Sequence, residues 1–240
     1  MPEAAPRAVT LIGQTLREQI EHGLLAAGGK LPAERRLSEV FATTRITLRE
    51  ALAQLEAQGL IYREERRGWY VSPPRINYNP LAPTHFHAMV TAQGRVPATE
   101  LISAQHIPAP APVCQLLELP ALSPVYLIRR ARRIDGRLVL YVEHHLNPAC
   151  VPEILACDLR RSLTELYREH YSLTYGRVRF DMVPTALHAE AAAALKVAVG
   201  SPALKITRIN CDQHGRMLDC DIEYWRHDAI QVSVEVGAPS

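Results

Sequence analysis

Lysine is almost missing from this chain: Lys30, Lys196 and Lys205 stand against 24 arginines. Its basic groups are therefore nearly all planar guanidinium forks, suited to paired contacts with phosphate, carboxylate or guanine. Cysteine is scarce and unpatterned. Cys114, Cys150, Cys157, Cys211 and Cys220 contain no CxxC pair. An odd count of that kind argues against a disulfide framework or a zinc ribbon, and predicts buried thiols in a reducing cytoplasm. No apolar run approaches the roughly 18 residues that a membrane span needs. The opening MPEAAPRAVT lacks the basic segment and apolar stretch of a secretory signal. Phosphate-loop, dinucleotide, zinc-protease and nucleophile-elbow motifs are absent, so neither an enzyme nor a cofactor is expected.

The composition that remains, 48% hydrophobic and 22% charged over 240 residues, is that of a globular chain long enough for two cores. The net charge of +2 lies wholly in the first 75 residues, which hold eleven basic and nine acidic groups. Within Lys30–Arg49 the imbalance is five basic (Lys30, Arg35, Arg36, Arg45, Arg49) to two acidic (Glu34, Glu39).

Three helices are expected in this first part. One runs from Thr10 to about Leu25 and ends at Gly28-Gly29. A short one spans Glu34 to Phe41. The third, Arg45 to about Gln58, is capped by Thr43-Thr44 and stopped by Gly59. At 100° per residue, Leu48, Ala51, Leu52 and Leu55 share the core side of the third helix, and Arg45 and Arg49 project from an edge of the other side. Leu60–Tyr62 and Trp69–Val71 read as two strands joined by a basic tip, Arg66-Arg67-Gly68. Helix, turn, helix and basic hairpin make a winged helix-turn-helix, whose third helix fits the major groove of DNA.

The run LPAERRLSEVFATTRITLREALAQLEAQGLIYREERRGWYVS closely resembles the reader domain of GntR-type bacterial transcription regulators over residues 9–72. The resemblance implies DNA contacts at Arg35, Thr44, Arg45, Thr47, Arg49, Arg67 and Gly68. Two positions depart from the family pattern. Ile46 stands where a small or polar residue is common, and Arg67-Gly68-Trp69 replaces the usual Gly-x-Gly of the wing.

Residues 73–80, beginning Pro73-Pro74, read as a semi-rigid linker between a domain at 1–72 and another at 81–240. Strands and helices then alternate, giving an α+β domain with mainly hairpin-connected, antiparallel strands. Asp135-Gly136 is a two-residue hairpin signal. If its register is kept along both strands, Arg130 faces Tyr141, and Arg130, Arg132, Tyr141 and Glu143 share one face. Two arginines on an apolar face call for either a bound anion or arginine–glutamate pairs.

This arrangement resembles the HutC-type subfamily of GntR regulators, whose effector-binding UTRA domain has a chorismate-lyase-like fold. The resemblance rests on the Phe86–Gly94 helix, the arginine-rich Asp135-Gly136 hairpin and the closing Tyr224-Trp225-Arg226. It implies an effector site at Phe86, His87, Arg130, Arg132, Glu143 and Tyr224. Glu143 lies one residue later than in many sugar-phosphate sensors of the subfamily, and its surroundings look more like the phosphonate-utilisation regulators. The expected protein is a cytoplasmic homodimer that binds a palindromic operator, most simply as a repressor, under control of a small anion of the phosphonate class. Regulation of histidine/urocanate or amino-sugar phosphate catabolism is the alternative, and effector-independent DNA binding is ranked last. The pairs His85/His87 and His144/His145 lack a carboxylate at metal-ligand spacing, so no metal is expected.

Overall fold

A computed structural model describes residues 4–64, 67–82 and 84–235. Two compact units divide the chain. The first runs to Arg75 and takes in His227–Ile230; the second covers Ile76–Arg226 and resumes at Gln231. Among the described residues no helix is long and apolar enough to cross a membrane.

The first unit is built from α1 (Ala4–Glu21), α2 (Glu34–Val40) and α3 (Arg45–Ala57), followed by the hairpin β1 (Ile61–Glu64) and β2 (Gly68–Val71). α1 starts six residues before the expected Thr10, because Ala4-Ala5 favour helix and Pro6 falls in the first turn, where an amide hydrogen is not needed. Ile12 and Leu16 of α1 pack with Leu48, Leu52 and Leu55 of α3. Trp69 of the wing joins the same core. Arg66 of the expected basic tip lies outside the described residues. His227 and Asp228 complete this unit: His227 Nε2 and Glu56 O are 2.9 Å apart, and Ser72 Oγ donates to Asp228 Oδ2 at 3.3 Å.

The second unit opens inside the stretch expected to be linker. Ile76–Tyr78 forms a strand, β3, paired with β10 (Ile230–Val232). The spacer reading counted the prolines and missed that Ile76 and Tyr78, at period two, are both buried. The rest is α4 (Phe86–Ala92), β4 (Pro97–Pro108), α5 (Ala111–Leu116), β5 (Pro124–Ile134), β6 (Arg137–Leu146), α6 (Leu163–Tyr171), β7 (Tyr175–Ala186), α7 (Ala189–Leu195), β8 (Pro202–Asp212) and β9 (Met217–Arg226). Six strands form one antiparallel sheet in the order β4-β5-β6-β9-β8-β7. α6 packs on one face through Leu163, Leu166 and Tyr167. α5 and α7 cover the other. All five cysteines are free thiols.

The β5–β6 hairpin decides which side chains meet. Asp135 and Gly136 both have positive φ, 49° and 80°, as a two-residue type I′ turn requires. Near the turn Ile134 faces Arg137, as expected. Then Val139 bulges: Arg133 pairs with Leu138 and Arg132 with Leu140, so Arg130 faces Val142, not Tyr141. One inserted residue exchanges the faces of everything beyond it. Arg130, Arg132 and His144 lie on the α6 face. Tyr141, Glu143 and, on β9, Tyr224 lie on the α5/α7 face.

The candidate effector cavity and the DNA-reading face

On the reader, Thr44 caps α3: its Oγ1 accepts from Thr47 N at 3.2 Å and stands 3.0 Å from Thr47 Oγ1. Arg45 is exposed and carries no ion pair among the described residues, and Ile46 beside it is 82% exposed. Arg49 is different. Its Nε donates to Glu34 Oε2 of α2 at 2.8 Å, while Trp69 Nε1 donates to Glu34 Oε1 at 3.1 Å. Glu34 thus ties α2, α3 and the β1–β2 hairpin together. Arg35 lies on the exposed face of α2, 3.9 Å from Glu39. Arg67 is held by Glu64 at 2.5 Å, and Gly68 takes φ 105°, a conformation that favours glycine.

Burial alone would raise the pKa of Glu34, but the hydrogen bonds from Arg49 and Trp69 outweigh it and hold the carboxyl below its ordinary value of 4.5. A depressed folded pKa contributes stability above the unfolded value and loses it as pH falls through the folded one. Wild type should therefore melt above Glu34→Gln at neutral pH. The margin should shrink as the buffer is taken below pH 4.5. A margin that stays constant with pH would show that Glu34 acts through shape alone.

In the second unit a cavity of about 60 Å³ opens on the α6 face of the sheet. Phe86 and His87 from the start of α4, Arg130 and Arg132 from β5, and Ser162–Thr164 at the start of α6 border it. Four of the six expected effector residues are therefore together. Glu143 and Tyr224 are not among them. Glu143 Oε1 instead accepts from Arg129 Nε at 3.2 Å and Tyr141 OH at 2.9 Å, with Glu190 also on Arg129 at 2.9 Å. The ring of Tyr224 meets His188 edge-on, centroids 4.8 Å apart. The arginine–glutamate pairing therefore involves Arg129, not Arg130 or Arg132, and lies on the opposite face, where the bulge at Val139 places Glu143.

The two cavity arginines have different duties. Arg130 is 1% exposed. Its Nη1 donates to the carbonyls of Leu159 and Arg161 at 3.1 and 2.9 Å, and its Nε and Nη2 reach His144 Nε2 at 3.1 and 2.7 Å. Guanidinium can only donate, so His144 Nε2 is the acceptor and the imidazole proton sits on Nδ1, which is donated to Asp221. Burial and the neighbouring arginines hold His144 well below the ordinary histidine range, so the imidazole is the neutral link between the Arg130 guanidinium and Asp221. Arg132 makes only one long bond, Nη1 to Thr99 Oγ1 at 3.4 Å. Its guanidinium lies over the Phe86 ring, 4.6 Å from the centroid. Burial first, then the neighbouring Arg130 charge, lowers its pKa, while the Glu223 and Asp221 carboxylates work the other way.

His87 Nε2 is 2.9 Å from the same Thr99 oxygen. Burial, then Arg132, lowers its pKa and keeps it neutral. His85 Nδ1 accepts from Ala88 N at 3.4 Å, which caps α4, and its Nε2 reaches Glu165 of α6 at 3.2 Å. Neither histidine pair converges. Among the described residues no three His, Cys, Asp or Glu side chains are placed to hold a metal.

Reading the sequence missed Arg208, Asp221, Glu223 and Tyr78 and left His144 without a role; all five are on the cavity wall. A signal existed for two of them. Asp219, Asp221, Glu223 and Trp225 alternate along one strand, and three acids at period two imply either a fully exposed face or a buried polar site. Here Glu223 is buried and accepts from Trp225 Nε1 at 2.7 Å. Arg208 carried no such signal.

Residues 9–71 match the bacterial regulatory proteins of the gntR family, and residues 92–231 match the UTRA domain. The HTH-type transcriptional regulator YihL of Escherichia coli is 30% identical over 226 residues, 93% of this chain and 95% of that protein. The HTH-type transcriptional repressor NagR of Bacillus subtilis is 27% identical, covering 90% and 89%. The crystal structure of PhnF from Mycobacterium smegmatis has the same fold, with a TM-score of 0.66 at 22% identity over 95% of this chain and all of that one. These relatives are regulators rather than enzymes. With a gntR reader at one end and a UTRA domain over more than half of its length, the chain belongs to the gntR family of bacterial regulatory proteins and is a DNA-binding transcription regulator.

Proposed function

We propose that this regulator acts in the cytoplasm as a repressor whose grip on a palindromic operator is set by a small anion in the α6-face cavity. One observation carries the anion: Arg132 faces that cavity with most of its donors unused. Arg208 and the first turn of α6, a helix capped by Ser162, add positive potential from the far side. A tetrahedral phosphate or phosphonate head suits such a set of donors. An aminoalkylphosphonate also presents an amine, which calls for an acid beside the anion site. Glu143 faces away, but the buried Glu223 is within the cavity wall and supplies the acid that an aminoalkylphosphonate needs. NagR is a repressor, which supports the repressor reading here.

Calorimetry with 2-aminoethylphosphonate and glucose 6-phosphate tests this, the better binder identifying the class. Glu143→Gln should leave either affinity within about twofold of wild type. Glu223→Gln should weaken the amine-bearing ligand selectively. A large loss in Glu143→Gln would return the site to the other face of the sheet.

We further propose a homodimer formed by the second unit. Both sheet edges, β4 and β7, are open, and Leu101, Ile102 and Val183 are exposed on them. Such edges need covering. A two-fold dimer would also match a palindromic operator. Sedimentation of the full chain at micromolar concentration should give a dimer, and a monomer would overturn this.

A further inference from the structure

Exposed apolar side chains are common on protein surfaces, so only its position makes one informative. Ile46 is 82% exposed, more than any other large apolar side chain of the first unit among the described residues. It stands in the first turn of α3, directly after Arg45 and two residues after the capping Thr44. We infer that Ile46 selects thymine in the operator, by packing on the C5 methyl group of that base in the major groove. This rests on the reading of α3 as the helix that enters the groove, and goes beyond it by assigning one base to one side chain.

The helix puts Ile46 at its outermost point. At 100° per residue it falls roughly 170° from the middle of the core stripe of Leu48, Ala51, Leu52 and Leu55. The fold gains nothing from it there. Its surface stays in water, and a β-branched side chain is a poorer helix former than the alanine, glutamate or lysine that suits an exposed helical position. An isoleucine in that place contributes only when something outside the reader covers it.

Charge and chemistry identify the cover. Arg45 beside it is exposed, and the segment Lys30–Arg49 carries five basic groups to two acidic ones, which suits a partner with anionic walls. Within the major groove every base edge is polar except at one point, the C5 methyl group of thymine. Ile46 has neither donor nor acceptor, so it can pair with no phosphate and with none of the amino, keto or ring-nitrogen groups of the bases. Cytosine has only a hydrogen where thymine has its methyl group, so contact with Ile46 separates the two pyrimidines. The neighbours on the same outward face do not compete. Ala53 is exposed and too small to hold the helix away from the bases, and Glu50 is an acceptor, suited to a cytosine amino group.

The test starts with the full chain selecting duplexes from a random-sequence pool. Thymines of the best duplex are then replaced one at a time by deoxyuridine, which lacks the methyl group and keeps the O4 acceptor, and affinities are read by gel shift. One thymine in each half-site should be sensitive, its replacement weakening wild type about fourfold, the worth of one buried methyl group. Ile46→Ser should bind the thymine and deoxyuridine duplexes alike, and its own selection should keep the guanine that Arg45 reads and lose that thymine. Ile46→Val, which retains a branched apolar tip, should keep most of the preference. Wild type and both variants should melt together, because the side chain lies outside the core. A wild type with no thymine sensitive to deoxyuridine would overturn the contact. So would a sensitivity that Ile46→Ser leaves undiminished, or an Ile46→Ser selection that still returns the same thymine, and Ile46 would then face a protein partner. A wild type that enriches no sequence, with Arg45→Ala binding DNA just as well, would instead remove α3 as the reading helix and this contact with it.

Discussion

Arg132→Ala should abolish anion binding and leave the fold intact, and Arg130→Ala should unsettle the fold first. Both arginines lie on one strand, two residues apart, and both border the cavity. Their partners separate them. Removing Arg130 leaves His144 Nε2 and the carbonyls of Leu159 and Arg161 without their donors inside the protein. Breaking one side of a buried charged network costs about 3–5 kcal/mol. For a unit of this size, that is a fall of roughly 6–20 °C in melting temperature. Because Leu159 and Arg161 lead into α6, the start of that helix should loosen with it.

Arg132 holds only a long bond to Thr99 and its stacking on Phe86, so its removal should move the melting point little. Losing one side of a buried charge-assisted contact should weaken a phosphate or phosphonate ligand by about 2–5 kcal/mol. Arg132→Lys keeps the charge without the fork and should recover part of the affinity. Thermal melts and calorimetry on the three variants distinguish these outcomes. If Arg132→Ala binds every anion as wild type does, the cavity is not the effector site.

On the DNA side, Arg45→Ala should cost about 1–3 kcal/mol on the operator and relax its base preference, as the loss of a guanine contact does. Arg45 is exposed at the start of α3, directly after the capping Thr44, and has no ion pair among the described residues. Arg49→Ala should cost a similar amount but by two routes, because Arg49 also ties α3 to Glu34. Its loss should lower the melting point of the reader as well, while Arg45→Ala should not. Arg35→Ala, on the exposed face of α2, should weaken all DNA sequences alike and flatten the salt dependence. Gel-shift titrations against operator and scrambled duplex at two salt concentrations separate the three. If Arg45→Ala keeps full discrimination between the duplexes, α3 is not the reading helix.

The reader was legible in the sequence because its information is local. Leu48, Ala51, Leu52 and Leu55 lie one helical stripe apart, Thr44 caps the helix that it precedes, and each pattern needs no distant partner. The same holds for the Asp135-Gly136 turn, where two positive φ angles follow from two adjacent residues. The cavity was only half legible. Phe86, His87, Arg130 and Arg132 could be placed by motif, but a turn determines register only at its own end of a hairpin. The bulge at Val139 depends on how β6 packs between β5 and β9, and it sent Glu143 and Tyr224 to the opposite face.

Ile76–Tyr78 likewise became a strand because β10, about 150 residues away along the chain, is there to pair with it. Arg208 and Glu223 entered the cavity wall through the pairing of β8 with β9. The sequence alone determined the family, the helix expected to read DNA and the presence of an arginine-lined site. Only the tertiary structure decided which arginine is structural and which is free, because that depends on carbonyls and a histidine that strand pairing and loop closure bring within 3.1 Å of Arg130.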